Sequence, residues 1–224
     1  NRSEILKEGI DNWLSSGDLD EIVVVDWSSD IPFTYNHEKV KVYRVEGEKY
    51  WILTHAMNLA ASLASNKLIM KMDADYRLKK EIFNISPQSK NHFIRGNWEL
   101  AETENDIFIN GFLMIHKESF ESVGGYNEDI DFYGYDDCDL YDRLKSIGMS
   151  ELSVGVSSGI SHKPHPRELR VNCQKNKEKI LNDSPKKFNN LIELNRLKSL
   201  EKTWTNNSVS SRWQINGRVV RRIN

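Results

Sequence analysis

Two apolar periods alternate along the first third of the chain. Leu6, Ile10, Trp13 and Leu14 recur at helical spacing and halt at Gly17, which predicts a first helix. Glu21 to Val25 is a short β-branched run that opens into Asp26-Trp27-Ser28-Ser29-Asp30, the pattern of a buried strand ending in a polar loop. Val40 to Val45 predicts a second strand. Trp51 to Ser65 predicts a helix with Ile52, Ala56, Leu59 and Leu63 on one face, and Lys67 to Met72 a further strand. The order helix, strand, strand, helix, strand predicts an α/β domain built on a mostly parallel central sheet flanked by helices. In such sheets ligands gather at the strand carboxyl ends, which draws attention to Asp26 and to Asp73-Ala74-Asp75.

The pattern changes after Phe93. Short extended pieces, Ile107-Phe108-Ile109 and Phe112 to Ile115, flank Asn110-Gly111, and Gly124-Gly125 marks a turn, together predicting a small antiparallel piece. Leu140, Leu144 and Ile147 give the sequence after Asp136-Asp137 one apolar helical face, ended by Gly148. Beyond His165 the chain is polar and rich in Lys and Asn, with a helix predicted near Glu168 to Leu181 and a break at Ser184-Pro185. The final stretch carries Trp204 and Trp213 with little period. Residues 1–170 are therefore read as one domain and 171–224 as a C-terminal helical extension packing on it.

Composition narrows the partners. A chain of 224 residues with 38% hydrophobic and 29% charged residues and a formal net charge of -2 gives no global reason to bind nucleic acid, so an anionic ligand must be met by local groups. Cys138 and Cys173 provide no disulfide framework and no C-x-x-C element. A reducing, cytoplasmic location is the expectation. No apolar run approaches the roughly 18 residues of a membrane span, although the abrupt start at Asn1-Arg2 leads us to expect further segments or domains outside the given sequence.

Asp73-Ala74-Asp75 follows the apolar run Leu68 to Met72. Past a strand end, two such carboxylates can approach one ligand and hold a hard divalent cation that bridges to phosphate oxygens, where the same tripeptide in isolation is a solvated turn. Asp136-Asp137 reads in one way as a helix N-cap. The preceding Phe132-Tyr133-Gly134-Tyr135 adds aromatic faces and a close-approach glycine suited to a sugar, and a helix start favours an ionised carboxylate able to act as base. His162 and His165, in a proline-stiffened loop, suit Mn²⁺ beside carboxylates, and Lys163, Arg167 and Arg170 are candidates to face a diphosphate.

Together these residues resemble the GT-A glycosyltransferases, in particular the family 2 enzymes and the β-1,4-galactosyltransferase C-terminal motif. The resemblance spans residues 1–170. It is carried by Val24 to Ser29, by Trp51 to Asn58 with Met72 to Asp75, and most specifically by Asn110-Gly111-Phe112, Gly124-Gly125-Tyr126 and Tyr133 to Leu144. It implies a nucleotide-sugar donor, a UDP-sugar, a glycan or glycoconjugate acceptor, and Mn²⁺ or Mg²⁺ as cofactor. Asp137 matches the catalytic base. Asp75 and His165, with His162 as the alternative, match the metal ligands. Arg2, Asp26, Trp51 and Asp73 match donor-nucleotide contacts, Asp73 near ribose or metal. Gly111, Tyr133 and Asp136 match the acceptor side, with Asp136 as acceptor contact or helix cap. The family's first strand has no counterpart in the sequence, Cys138 stands where an acceptor-contacting acid is expected, and Met57 stands where many family 2 members have arginine. Two other classes compete: a non-catalytic glycan-binding or scaffolding module, and a nucleotidyltransferase, against which the histidine pair and acidic helix start argue.

Overall fold

The computed structural model describes residues 2–17, 19–166, 168–169, 185–202 and 213–223. Helix α1 (Ser3–Ser16) buries Ile10 and Trp13, and Gly17 caps it in an extended conformation. It lies against β4 (Tyr76–Leu78), where the Trp13 indole donates to Tyr76 O at 3.0 Å and Asn12 clasps both backbone groups of Leu78. Gly9 permits this approach, because a Cβ there would stand 2.9 Å from Ala74 O, in the turn between the two acids.

Strand β1 (Ile22–Trp27) pairs in parallel with β2 (Val40–Glu46), and α2 (Leu53–Leu63) packs against β1 through Ala56 and Leu59. A second four-stranded sheet has the order β3 (Leu68–Lys71), β6 (Leu113–His116), β5 (His92–Gly96), β7 (Ser150–Val154), and β4 forms a small antiparallel pair with β8 (Ile160–His162). The architecture is mixed α/β. Parallel pairing joins β1 to β2 and β5 to β7, while β6 runs antiparallel to both β3 and β5. Helices α3 (Lys117–Ser122) and α4 (Asp136–Ser146) cover the second sheet, with Leu140, Tyr141 and Leu144 of α4 seated on Phe93, Leu113 and Ile115.

Two segments depart from the sequence expectations. Ile107-Phe108-Ile109 is not extended: it belongs to a 3₁₀ turn over Asp106–Gly111. The Asp106 carboxylate accepts from the amides of Glu102 and Thr103, and Phe108 O accepts from the Tyr76 hydroxyl, so backbone groups that a strand would pair in a ladder are satisfied locally. The C-terminal extension is not helical throughout. After α5 (Pro185–Glu201), β9 (Trp213–Asn216) and β10 (Val219–Arg222) form a hairpin about Gly217, φ 60°, and β10 joins the edge of β2 in parallel. That strand needs the distant edge of β2 to exist, which no local period announces. The predicted helix Glu168 to Leu181 lies outside the described residues apart from 168–169, as do Cys173 and Trp204. Among the described residues no helix is long and apolar enough to cross a membrane.

Candidate active site

The turn after β3 brings Asp75 into a nearly closed corner, where the residue is only 4% exposed. Its Oδ2 lies 2.7 Å from the Arg2 guanidinium, 2.8 Å from His165 Nε2 and 3.7 Å from His162 Nε2. Strand β8 supplies His162 by pairing Tyr76 with it across the small sheet, and Lys163 N bonding Asp75 O at 2.7 Å carries the chain on to His165. The far nitrogens are committed. His162 Nδ1 faces Asn105 Oδ1 at 2.7 Å and His165 Nδ1 faces Pro166 O at 3.0 Å, both acceptors, so each ring holds its proton on Nδ1 and turns Nε2 toward Asp75. Nε2 of His165, 2.8 Å from the Asp75 carboxylate, donates to it when it carries a proton and is a ligand atom when a cation takes the proton's place. Burial by itself would raise the Asp75 carboxyl, but His162, the Arg2 charge and His165 overcome it and hold the group well below the ordinary carboxylate range. One carboxylate and two imidazoles, with ligand atoms all within 4.8 Å of one another, form a donor set that fits Mn²⁺.

The second half of the site is built on α4. Tyr135, the N-cap, takes a left-handed conformation with φ 69°, after Gly134 at φ 102°. Asp136 and Asp137 consequently fall in the first helical turn, and neither is the cap. The helix is tied to Asn110-Gly111-Phe112 by the Tyr141 hydroxyl, which donates to Asn110 O at 2.8 Å and reaches Phe112 O at 3.2 Å. Tyr76 grips the other end of the same 3₁₀ turn through Phe108 O at 2.8 Å. Two tyrosines thus lock the acid turn after β3 and the start of α4 onto one short connector.

Asp137 Oδ1 accepts from the Tyr126 hydroxyl at 3.0 Å and lies 3.5 Å from Lys71 Nζ, while among the described residues Oδ2 makes no hydrogen bond. Burial raises the Asp137 carboxyl, with Lys71 and Tyr126 opposing the rise, so the plain helix-start argument for a readily ionised acid is corrected by desolvation. Asp136 is pushed up to about 7 by burial and by the charge of Asp137. Burial and the same two carboxylates push the half-buried Cys138 thiol up to about 11.

Asp73 does not join the metal-ligand trio. It turns toward α4 and pairs with Lys71 at 3.0 Å. Gly111 sits where these charges meet: a Cβ there would stand 2.6 Å from Lys71 Nζ, 3.0 Å from Asp73 Oδ2 and 3.1 Å from Asp137 Oδ2. Its value is close approach, since any side chain would displace the cluster.

A cavity of about 850 Å³ connects the two halves. Its polar end is walled by Arg2, Asp73, Asp75, Asp137 and His162, and Tyr133 and Asp136 also line it. Its apolar end runs between the outer edges of β1 and β3, which line it with Val23, Val25, Ile69 and Met70.

The sequence-predicted residues fall unevenly. His162 and His165, expected from the sequence as alternatives, both face Asp75. Arg2 reaches the same corner. Trp51 lines the cavity but also packs edge-on against Trp27, ring centroids 6.1 Å apart. Asp26 is not on the cavity wall: it is buried, accepting from Phe33 N at 3.0 Å and from Arg44 at 2.7 Å, because it organises the loop after β1. Lys163 is paired with Glu8, and Arg167 and Arg170 lie outside the described residues. Sequence reasoning missed Lys71, Tyr126 and Asn105. A lysine inside an otherwise apolar strand was a legible signal for the first, and Tyr126 stood in the Gly124-Gly125-Tyr126 motif without a role; nothing local marks Asn105.

The fold has solved relatives. A Drosophila β1,4-galactosyltransferase 7 mutant complexed with manganese, UDP-Gal and xylobiose superposes with a TM-score of 0.60 at 14% identity, covering 99% of this chain and 88% of that one. The catalytic domain of the Drosophila enzyme with xylobiose gives 0.55 at 13%, covering 82% and 78%. A Pyrobaculum calidifontis mannosyltransferase with GDP-Man and Mn²⁺ gives 0.57 at 16%, covering 87% and 66%. In sequence, no curated protein matches the chain. Residues 97–166 match the family model described as the N-terminal domain of galactosyltransferase, a stretch that carries Gly111, Asp136, Asp137, His162 and His165. The chain has the GT-A glycosyltransferase fold, and its stretch 97–166 is similar to the galactosyltransferase family. The matched stretch supplies the acid helix and both histidines, while β3 and its turn, outside that stretch, supply Lys71, Asp73 and Asp75.

Proposed function

We propose that this protein is a glycosyltransferase that moves a sugar from a UDP-sugar to a hydroxyl of a glycan or glycoconjugate acceptor, with inversion, and that Mn²⁺ or Mg²⁺ is held by Asp75, His162 and His165. The observation that carries the reading is the arrangement about Gly111: a metal-suited trio on one side of the acid turn and, on the other, a half-buried carboxylate whose Oδ2 has no hydrogen bond among the described residues, opening into one cavity. The complexes of the structural neighbours with UDP-Gal or GDP-Man and manganese support it.

A divalent ion held by Asp75, His162 and His165 would neutralise charge on a departing diphosphate. Arg2 adds a fixed positive charge at the same corner. Asp137 takes the acceptor hydroxyl proton on Oδ2 as that oxygen attacks the anomeric carbon, while Tyr126 and Lys71 hold Oδ1 and so fix the plane of the carboxylate. Asp136, Tyr133 and the bare Gly111 shape the acceptor side, and Trp51 offers a ring to the base at the cavity wall.

The test is turnover across a panel of nucleotide-sugars with and without Mn²⁺ or Mg²⁺. Transfer that needs the ion and is lost in Asp137→Asn and Asp75→Ala proteins is the expected result. Undiminished transfer in those two proteins would refute the assigned roles, and tight glycan binding with no donor binding would replace the reading with a non-catalytic module.

A further inference from the structure

Lys71 is the last residue of β3, and its side chain is only 7% exposed. An ammonium removed from water in this way is strongly unfavourable unless charges of opposite sign surround it. Here they do: Nζ lies 3.0 Å from Asp73 Oδ1 and 3.5 Å from Asp137 Oδ1, and the Asp136 charge also acts on it. The space is shaped for the group, since even a methyl on Gly111 would intrude to 2.6 Å of Nζ. Asp73, Asp136 and Asp137 are therefore a carboxylate cluster with a resident cation, separate from the Asp75–His162–His165 trio.

The position matters as much as the charge. Asp73 belongs to the turn that carries Asp75, and Asp137 belongs to α4, so the ammonium spans the junction between the donor-side and acceptor-side elements. We infer that Lys71 is a positioning residue for sugar transfer: it acts through Asp137, holding Oδ1 so that Oδ2 meets the acceptor hydroxyl, and it shields an anionic donor from the three carboxylates. The inference rests on the transferase reading given above.

The experiment compares wild type with Lys71→Met, which keeps the length and removes the charge, and Lys71→Arg, which keeps the charge. Steady-state transfer gives kcat and the KM for each substrate, and Mn²⁺ titration reports the metal trio. We expect kcat to fall at least about 30-fold in Lys71→Met, short of the about 10²–10⁴-fold attributed to a well-placed general base because the base itself is retained. Lys71→Arg should recover at least tenfold of that loss. Mn²⁺ affinity should stay within threefold in both, because Lys71 does not touch the trio. Should Lys71→Met fail to fold, Lys71→Met/Asp73→Asn, which deletes one charge of each sign, takes its place with the same expectation.

A folded Lys71→Met protein within twofold of the wild-type kcat overturns the inference. So does a Lys71→Arg protein no faster than Lys71→Met when both keep the wild-type thermal midpoint, which would mark the residue as mere filling. Absence of transfer by wild type itself would instead overturn the transferase reading, so the two failures are distinguishable.

Discussion

Replacing Asn105 by leucine removes the acceptor from His162 Nδ1 without opening much space, and the consequence is felt at a metal site that Asn105 never touches. In the folded protein Asn105 Oδ1 takes the Nδ1 proton at 2.7 Å while Asn105 Nδ2 holds His162 O at 2.8 Å. The histidine is 5% exposed and its ring leans on Phe108, centroids 5.0 Å apart, so solvent cannot readily replace the lost partner. Leaving a buried N–H unsatisfied costs about 1–3 kcal/mol. The imidazole can relieve that cost by moving its proton to Nε2, where the Asp75 carboxylate accepts it, but Nε2 is then no longer a ligand. Metal binding must reverse the shift, which corresponds to a loss of about 10–100-fold in Mn²⁺ affinity, the range known for such supporting contacts. Isothermal titration of Mn²⁺ into wild type, Asn105→Leu and Asn105→Asp at about pH 7.5, above the ordinary histidine range, checks the reasoning. Asn105→Asp keeps an acceptor and is expected to retain affinity within a few fold. An Asn105→Leu protein that is folded and binds Mn²⁺ as tightly as wild type would show that the tautomer is not held by Asn105, and the argument would fail.

Other outcomes follow from the same geometry. Asp137→Asn should lower kcat by about 10²–10⁴-fold while leaving Mn²⁺ binding intact, measured by transfer assay and titration. Because burial raises the Asp137 carboxyl and only the ionised form accepts a proton, the acid limb of kcat/KM should fall, as pH drops, at a midpoint above the ordinary carboxylate value of about 3.9; a limb at or below that value refutes the buried-base assignment. Gly111→Ala should cut kcat at least about tenfold by pushing Lys71 off the cluster, with far-ultraviolet circular dichroism unchanged; wild-type kcat would contradict the close-approach argument. Arg143→Met leaves Asp139, whose side chain is fully buried and which otherwise receives both Arg143 Nε at 3.0 Å and Nη2 at 2.6 Å, without its ion-pair partner. Breaking such a pair one-sidedly costs about 3–5 kcal/mol, to be read from urea denaturation.

Much of the scaffold was written locally. Helix α1 and its stop at Gly17, the strands at Ile22 and Val40, α2, β3 and the helix at Asp136 each arise from a short-range apolar period and a nearby breaker, so composition within a dozen residues suffices to place them. The order of the acid turn, Asn110-Gly111, the paired glycines and the acid helix likewise pointed to the site before any coordinates. The 3₁₀ turn over Asp106–Gly111 and the β10 strand were beyond such reading. Their backbone partners, Tyr76 and the edge of β2, lie far away in the chain.

The same division holds for the chemistry. Residue types nominated the pairs Asp73/Asp75 and Asp136/Asp137 and the two histidines, because their functional groups carry intrinsic affinities for cations and protons wherever they stand, and the family resemblance singled out Asp75 with a histidine for the metal and Asp137 as base. Only the tertiary structure decided that His162 and His165 both turn Nε2 to one carboxylate, that Asp73 abandons its neighbour for Lys71, and that Asp26 is consumed by Arg44. Those outcomes depend on burial and on distances between segments, which convert ordinary side chains into a charge balance: desolvation raises Asp137, while neighbouring positive and donor groups hold Asp75 down. Sequence names the groups, but the field each one feels is set by what folding brings against it.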